Sequence, residues 1–89
     1  MQYLHDSNIY CWRNNSGRRG TVQYGKKGSA DIIGLLKTGR FIGIEVKTKT
    51  GKQSESQAEF QADIEKNNGV YILARSVPDL QSQLIKYMK

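Results

Sequence analysis

Asp31, Glu45 and Lys47 are the residues whose types and spacing could do chemistry in this chain. Two carboxylates with an ammonium beside them suit a divalent cation. Mg²⁺ is hard and prefers oxygen, and it is commonly held by one or two carboxylates plus waters and substrate phosphates. Such a cation polarises a phosphodiester and acidifies a bound water, while a nearby ammonium positions that nucleophile and offsets developing charge. Glu-x-Lys alone is a common triplet; its weight here comes from its surroundings. Between Ser7 and Lys52 the chain carries ten basic residues and only two acids, Asp31 and Glu45, for a local net charge of +8. From Gln53 onward the net charge is −1, and the whole chain stands at +6. On charge alone, an ordinary solvated imbalance competes with a footprint for a polyanion, most plausibly nucleic acid. The isolated acids favour the second reading, because a phosphate-binding surface excludes carboxylates unless they hold a bridging cation.

Two strands must bring these residues together. Ala30 to Leu36 and Arg40 to Thr48 read as strands joined by Lys37-Thr38-Gly39, a loop suited to a type I turn closed by a left-handed glycine. That turn pairs Leu36 with Arg40, Gly34 with Ile42, Ile32 with Ile44 and Asp31 with Glu45. Alternation then sets Ala30, Ile32, Leu36, Ile42, Ile44 and Val46 on one apolar face and Asp31, Glu45 and Lys47 on the other. Directly opposed β-carbons lie about 5 Å apart, so without a cation the two carboxylates would repel.

The remaining elements follow from local signals. Tyr3-Leu4-His5 reads as the end of a short helix, and Ile9 to Arg13 as a β-branched and aromatic strand. Asn14 to Ser29 is a polar, glycine-rich loop in which Thr21 to Tyr24 could extend briefly; its basic residues and Tyr24 favour binding. Ser54-x-x-Gln57 is a capping box that opens a helix with the stripe Gln57, Phe60, Gln61 and Ile64, ended by Asn67-Asn68-Gly69. Val70 to Arg75 is a central strand. Ser76-x-x-Asp79, with Pro78, starts a last helix whose core side is Val77, Leu80, Leu84 and Tyr87 or Met88. The order αβββαβα implies an α/β fold, a mixed sheet flanked by helices, in one domain over 1–89.

Composition narrows the class. With 37% hydrophobic residues, 89 residues support one modest core. The longest apolar stretch is Ile32-Ile33 and Leu35-Leu36 around Gly34, far short of a membrane span, and no signal peptide is visible. A single Cys and a single His exclude an intrachain disulfide framework and a Cys/His zinc site. An intracellular, soluble protein is expected. Cys11 reads as a buried small hydrophobe, His5 as a surface residue and Trp12 as core rather than a stacking platform. Gln57 is open to two readings: the N3 member of the cap, or a group supporting the carboxylates.

Asp31 followed by Glu45-Val46-Lys47 on the adjoining strand resembles the metal-binding core of the PD-(D/E)XK nuclease superfamily. Gly28-Ser29-Ala30-Asp31-Ile32, Gly39 to Lys47 and Gln57-x-x-Phe60 resemble more narrowly the VRR-NUC (virus-type replication-repair nuclease) family. Tyr3-Leu4 and Trp12-Arg13 extend the likeness over nearly the whole chain. The resemblance implies a restriction-endonuclease-like fold in which Asp31, Glu45 and the Val46 carbonyl bind Mg²⁺ or Mn²⁺. It implies that Lys47 assists the attacking water and Gln57 supports the site, making Asp31, Glu45, Lys47 and Gln57 the catalytic set. Such families commonly carry a further acid on the first helix; this chain has only Asp6 there, with Gln2 nearer the expected place.

The implied activity is a Mg²⁺-dependent endodeoxyribonuclease, selective for branched DNA such as four-way junctions and acting as a homodimer. Its setting is intracellular, the host cytoplasm if the chain is phage-encoded. Arg13, Arg18, Arg19, Lys26, Lys27 and Lys49 are the expected phosphate contacts. Two other functions compete: a catalytically weak or inactive nucleic-acid-binding domain that keeps the fold, and a basic protein-interaction module whose acid pair is accidental.

Overall fold

The computed structural model describes residues 2–7, 9–14, 17–19, 22–24 and 26–87, with 17–19 and 22–24 described as backbone. A short helix α1 (Gln2–Asp6) leads into β1 (Tyr10–Arg13), followed by a small hairpin of β2 (Gly17–Arg19) and β3 (Val22–Tyr24). Next come β4 (Ile32–Leu35), β5 (Phe41–Val46), α2 (Glu55–Lys66), β6 (Val70–Ala74) and α3 (Val77–Leu84), which ends in a 3₁₀ turn over Ile85–Tyr87. Outside the hairpin the order is α, β, β, β, α, β, α. The extra pair is the main departure: the stretch expected to extend only briefly over Thr21 to Tyr24 finds an antiparallel partner in Gly17–Arg19.

Four strands form a mixed sheet in the order β1-β4-β5-β6. β1 and β5 run antiparallel to β4, while β6 lies parallel to β5. The parallel pair requires a crossover, and α2 supplies it. The turn between β4 and β5 takes the expected form. Leu36 N–H donates to the Arg40 carbonyl at 2.9 Å, Gly39 N–H donates to the Leu36 carbonyl at 2.9 Å, and Gly39 has φ +89°. The register is the one the turn dictates, with Ile32 opposite Ile44 and Gly34 opposite Ile42.

The sheet separates two apolar clusters. Leu4, Ile9, Cys11, Leu36, Ile42, Ile44, Val70, Ile72, Ala74, Leu80 and Leu84 fill the side covered by α1 and α3, with Ile32 packed against them. Ala30, Phe60 and Tyr71 fill the α2 side, joined by Ile33, Phe41, Ile64 and Leu73. Two expectations fail here. Ala30 belongs with Phe60 rather than with Ile32, because the chain bends at Asp31 and the two-residue period restarts at β4. Val46 keeps the expected side of the sheet, lining an apolar hollow with Tyr3, Ile32, Ile44 and Leu80, but at the strand end it is 57% exposed. Val77, in the first turn of α3, and Tyr87 are also exposed, so Leu80 and Leu84 alone supply that helix's buried side. Met88 lies outside the described residues.

Both long helices begin as their sequences require. Ser54 Oγ accepts from Gln57 N–H at 3.2 Å, and Gln57 Oε1 accepts from Ser54 N–H at 2.8 Å, completing the capping box. Ser76 Oγ accepts from Asp79 N–H at 3.1 Å, with Pro78 in the first turn. No helix among the described residues is long and apolar enough to cross a membrane.

Candidate metal centre

Asp31 sits one residue before β4 and Glu45 one residue before the end of β5, so the Ile32–Ile44 pairing puts them in adjoining positions. They occupy different environments. Asp31 is exposed, and its Oδ2 accepts from Val46 N–H at 2.8 Å. Glu45 is only 2% exposed, the sole charged side chain in that class among the described residues. Its Oε1 accepts from Gln57 Nε2 at 2.8 Å. Its Oε2 is buried and has no hydrogen-bond partner. Asp31 and the Tyr71 hydroxyl face the same carboxylate without closing a bond to that oxygen.

This environment explains the acidity of Glu45. Burial, then repulsion from Asp31, pushes its carboxyl up to about 7, although the Lys47 ammonium pulls the other way. Lys47 is half-buried at the first position past β5, where its N–H donates to the Ala74 carbonyl at 3.0 Å. Tyr71 is raised as well, chiefly by burial. A buried carboxylate oxygen without a donor, beside a second carboxylate, is the arrangement a hard cation would stabilise. The donor set therefore fits Mg²⁺ or Mn²⁺ through Asp31 and Glu45. It is sparse: no third His, Cys, Asp or Glu joins them among the described residues. Asp6 on α1 instead accepts from Gln2 Nε2 at 2.8 Å.

The two readings of Gln57 merge in one side chain. Its Oε1 faces a peptide N–H and must accept, which leaves Nε2 to donate to Glu45. The cap thus orients the amide that holds the buried carboxylate. Two further positioning residues, Asn14 and Gln53, carry no sequence signal, since each holds a partner far along the chain. Asn14 takes the Asp31 carbonyl with its N–H at 2.8 Å, and its Nδ2 donates to the Ala30 carbonyl at 3.0 Å and to Ser29 Oγ at 2.6 Å. It pins the bend that presents Asp31. Gln53 Nε2 donates to the Tyr71 hydroxyl at 3.2 Å and to Gln61 Oε1 at 2.9 Å, backing the Glu45 pocket from α2 and β6.

The expected phosphate contacts are dispersed. Arg13 is exposed, but alternation sets it with Cys11 on the sheet face opposite Glu45. Lys26 and Lys27 are exposed in the segment before Ser29, and Lys27 borders a polar hollow with Ser54, Glu55, Ser56 and Glu59. That segment lies on the start of α2 because Gly28, at φ +81°, has no β-carbon to collide with the Ser56 carbonyl. Lys49 is exposed on the turn after β5, whose Thr48, Lys49 and Gly51 carbonyls accept from Arg75 Nη1 at 2.6, 3.3 and 2.7 Å. The side chains of Arg18, Arg19 and Tyr24 lie outside the described residues. Trp12, expected in the core, is 44% exposed beside Tyr10, while Cys11 is buried and His5 exposed as expected.

No protein-family model matches this chain, and no curated protein matches it.

Proposed function

We propose that this chain is a metal-dependent endodeoxyribonuclease of the PD-(D/E)XK type, close to the VRR-NUC family, hydrolysing phosphodiester bonds in branched DNA. The observation that carries the reading is Glu45: a 2%-exposed carboxylate with one oxygen held by Gln57 and the other without a partner, beside Asp31. Burying a charge without compensation is costly, and a divalent cation is the compensation that also has chemistry to perform. Asp31, Glu45 and the Val46 carbonyl would hold Mg²⁺ or Mn²⁺. When bound, the cation polarises the scissile phosphate and acidifies a water.

The chain's own residues do the rest. Gln57 and Val46 N–H each fix one carboxylate oxygen, which sets the ligand geometry before substrate arrives. Lys47, close enough to lower the Glu45 pKa, orients the attacking water and offsets charge on the phosphate. The basic half raises the local concentration of DNA. A homodimer would supply two such centres, as symmetric cutting of a four-way junction requires, and would help stabilise a small domain. A monomer by light scattering at micromolar concentration removes that part.

A second reading has its own observation. The set of two carboxylates, without a third ligand among the described residues, is also that of a nucleic-acid-binding domain that keeps the fold but cuts weakly or not at all. Cleavage of junction, flap and duplex DNA with Mg²⁺, alongside Glu45→Ala and Lys47→Ala, separates the two. Metal-dependent cutting lost in both variants supports the nuclease. Salt-sensitive binding without cutting supports the second reading, and cutting that survives EDTA removes the proposed centre. A protein-interaction module would show no salt-dependent DNA affinity.

A further inference from the structure

Glu45 shares its sheet face with an aromatic patch. Cys11 points into the α1/α3 core, so alternation places Tyr10 and Trp12 on the α2 side. The register sets Trp12 opposite Ile33 and Tyr10 opposite Leu35, and Ile33 and Leu35 stand opposite Gly43 and Phe41. Ile33 and Phe41 pack into the α2 cluster, whereas Tyr10, Trp12 and Leu35 remain 70%, 44% and 42% exposed. The helix covers the β5–β6 half of the face and leaves the β1 end open. Two residues along the strands from the Trp12–Ile33 row lies the row of Asn14, Asp31 and Glu45, where Asn14 N–H bonds the Asp31 carbonyl. At strand spacings of about 3.3 Å along and 4.8 Å across, Trp12 and Asp31 are about 8 Å apart along the backbone grid. Two or three stacked nucleotides, rising about 3.4 Å each, span that interval.

We infer that Trp12 and Tyr10 form a stacking platform for unpaired bases of DNA next to the bond cut at Asp31 and Glu45. The inference rests on the nuclease reading for the cutting step, though not for base binding. Two observations select nucleobases over an apolar partner. The segment of chain that builds the patch carries a net +8, complementary to a phosphate backbone, although Arg13 itself faces the other side of the sheet. The patch is also continuous with the carboxylate pair across one sheet face. The rings lie 5.4 Å apart and tilted by 59°, not stacked in parallel, and both stay exposed. Every base has a π-face, so such a platform tolerates any sequence and discriminates by strandedness: bases inside an intact duplex cannot reach it. The substrate class is therefore DNA with unpaired nucleotides beside the cut, such as a flap or an opened junction.

Trp12 is the only tryptophan in the chain, so its fluorescence reports the contact directly. Oligothymidylate titrated into the 89-residue chain in EDTA should quench that emission, and a blunt duplex of equal length should quench it far less. Trp12→Ala should weaken oligothymidylate binding by about tenfold, with the salt slope unchanged because no phosphate contact is lost. Trp12→Phe should restore most of the affinity. Glu45→Ala should still quench. Quenching retained in a protein that cuts nothing would leave the platform standing and the nuclease reading fallen. Metal-dependent cutting without quenching, or equal quenching by duplex, would overturn the platform. So would a blue-shifted emission insensitive to DNA with Trp12→Ala turning a dimer into a monomer, since the face would then be occupied by a second copy.

Discussion

Strands β5 and β6 have two faces, and the contrast between them organises this molecule. On the α1/α3 side, Ile42, Ile44, Ile72, Leu4 and Leu84 are the largest fully buried side chains. On the α2 side, the same strands present Glu45 and Tyr71, backed by Gln57, Gln53 and Gln61. The first face supplies most of the cohesion, through close packing of aliphatic groups. The second gives up some of that cohesion to hold a buried carboxylate in place. Residues one position apart, Ile44 and Glu45, thus serve stability and chemistry separately, and each should respond to different perturbations.

The largest effect expected is on catalysis. Asp31→Asn keeps size and strand position, so the fold should persist by circular dichroism while metal-dependent cleavage falls by a hundred- to a thousandfold or about 3–4 kcal/mol. Unchanged cleavage would mean that the α2 face does no chemistry. Ile44→Ala tests the other face: a cavity beneath α1 and α3 should cost about 2–5 kcal/mol in urea unfolding, and metal binding measured calorimetrically on the folded variant should stay close to the wild type. A large loss of metal affinity would blur the division between faces.

Stability against pH is the next test. In the metal-free fold the Glu45 carboxyl is raised to about 7, above its unfolded value, so the folded state holds a proton that the unfolded chain releases. Its contribution is present below pH 4.5 and is lost as pH rises through 7. In EDTA, the melting temperature should therefore fall from pH 5 to pH 8 more steeply than in Glu45→Gln, and added Mg²⁺ should recover it. Equal pH profiles for the two proteins would show that Glu45 is not strained by its burial. The smallest effect concerns affinity. Glu45→Ala removes a negative charge from the phosphate path and should tighten binding to uncut DNA a few-fold at low salt, with the gain fading as salt rises.

Much of the fold was legible because its signals are local. The Lys37-Thr38-Gly39 turn, its left-handed glycine and the register they impose can be read from a dozen residues, and the register brings Asp31 to Glu45. The capping box at Ser54 and Gln57 is likewise local. The misplaced residues have separate physical causes. Ala30 crosses to the α2 side at the bend, where strand alternation stops, and Val77 stands exposed in the first turn of α3. Trp12 has core chemistry but lies on the edge strand, beyond the span of α2. The 17–19 and 22–24 pairing leaves no local mark in the sequence, since its short segments carry no alternation of their own.

What the sequence by itself determined is which groups could meet: two carboxylates in one hairpin row, a lysine after one of them, and a basic half around both. Turn geometry and the two-residue period are properties of neighbouring residues, so no tertiary knowledge is needed. Only the folded chain decided that the two acids differ, one exposed and one buried to 2%. Burial of Glu45 depends on α2 crossing over β5, and its hold depends on a glutamine that also caps that helix. The bend that presents Asp31 depends on Asn14, on a strand far away in sequence. Desolvation and long-range hydrogen bonds are sums over the whole packed structure, and no local pattern encodes them.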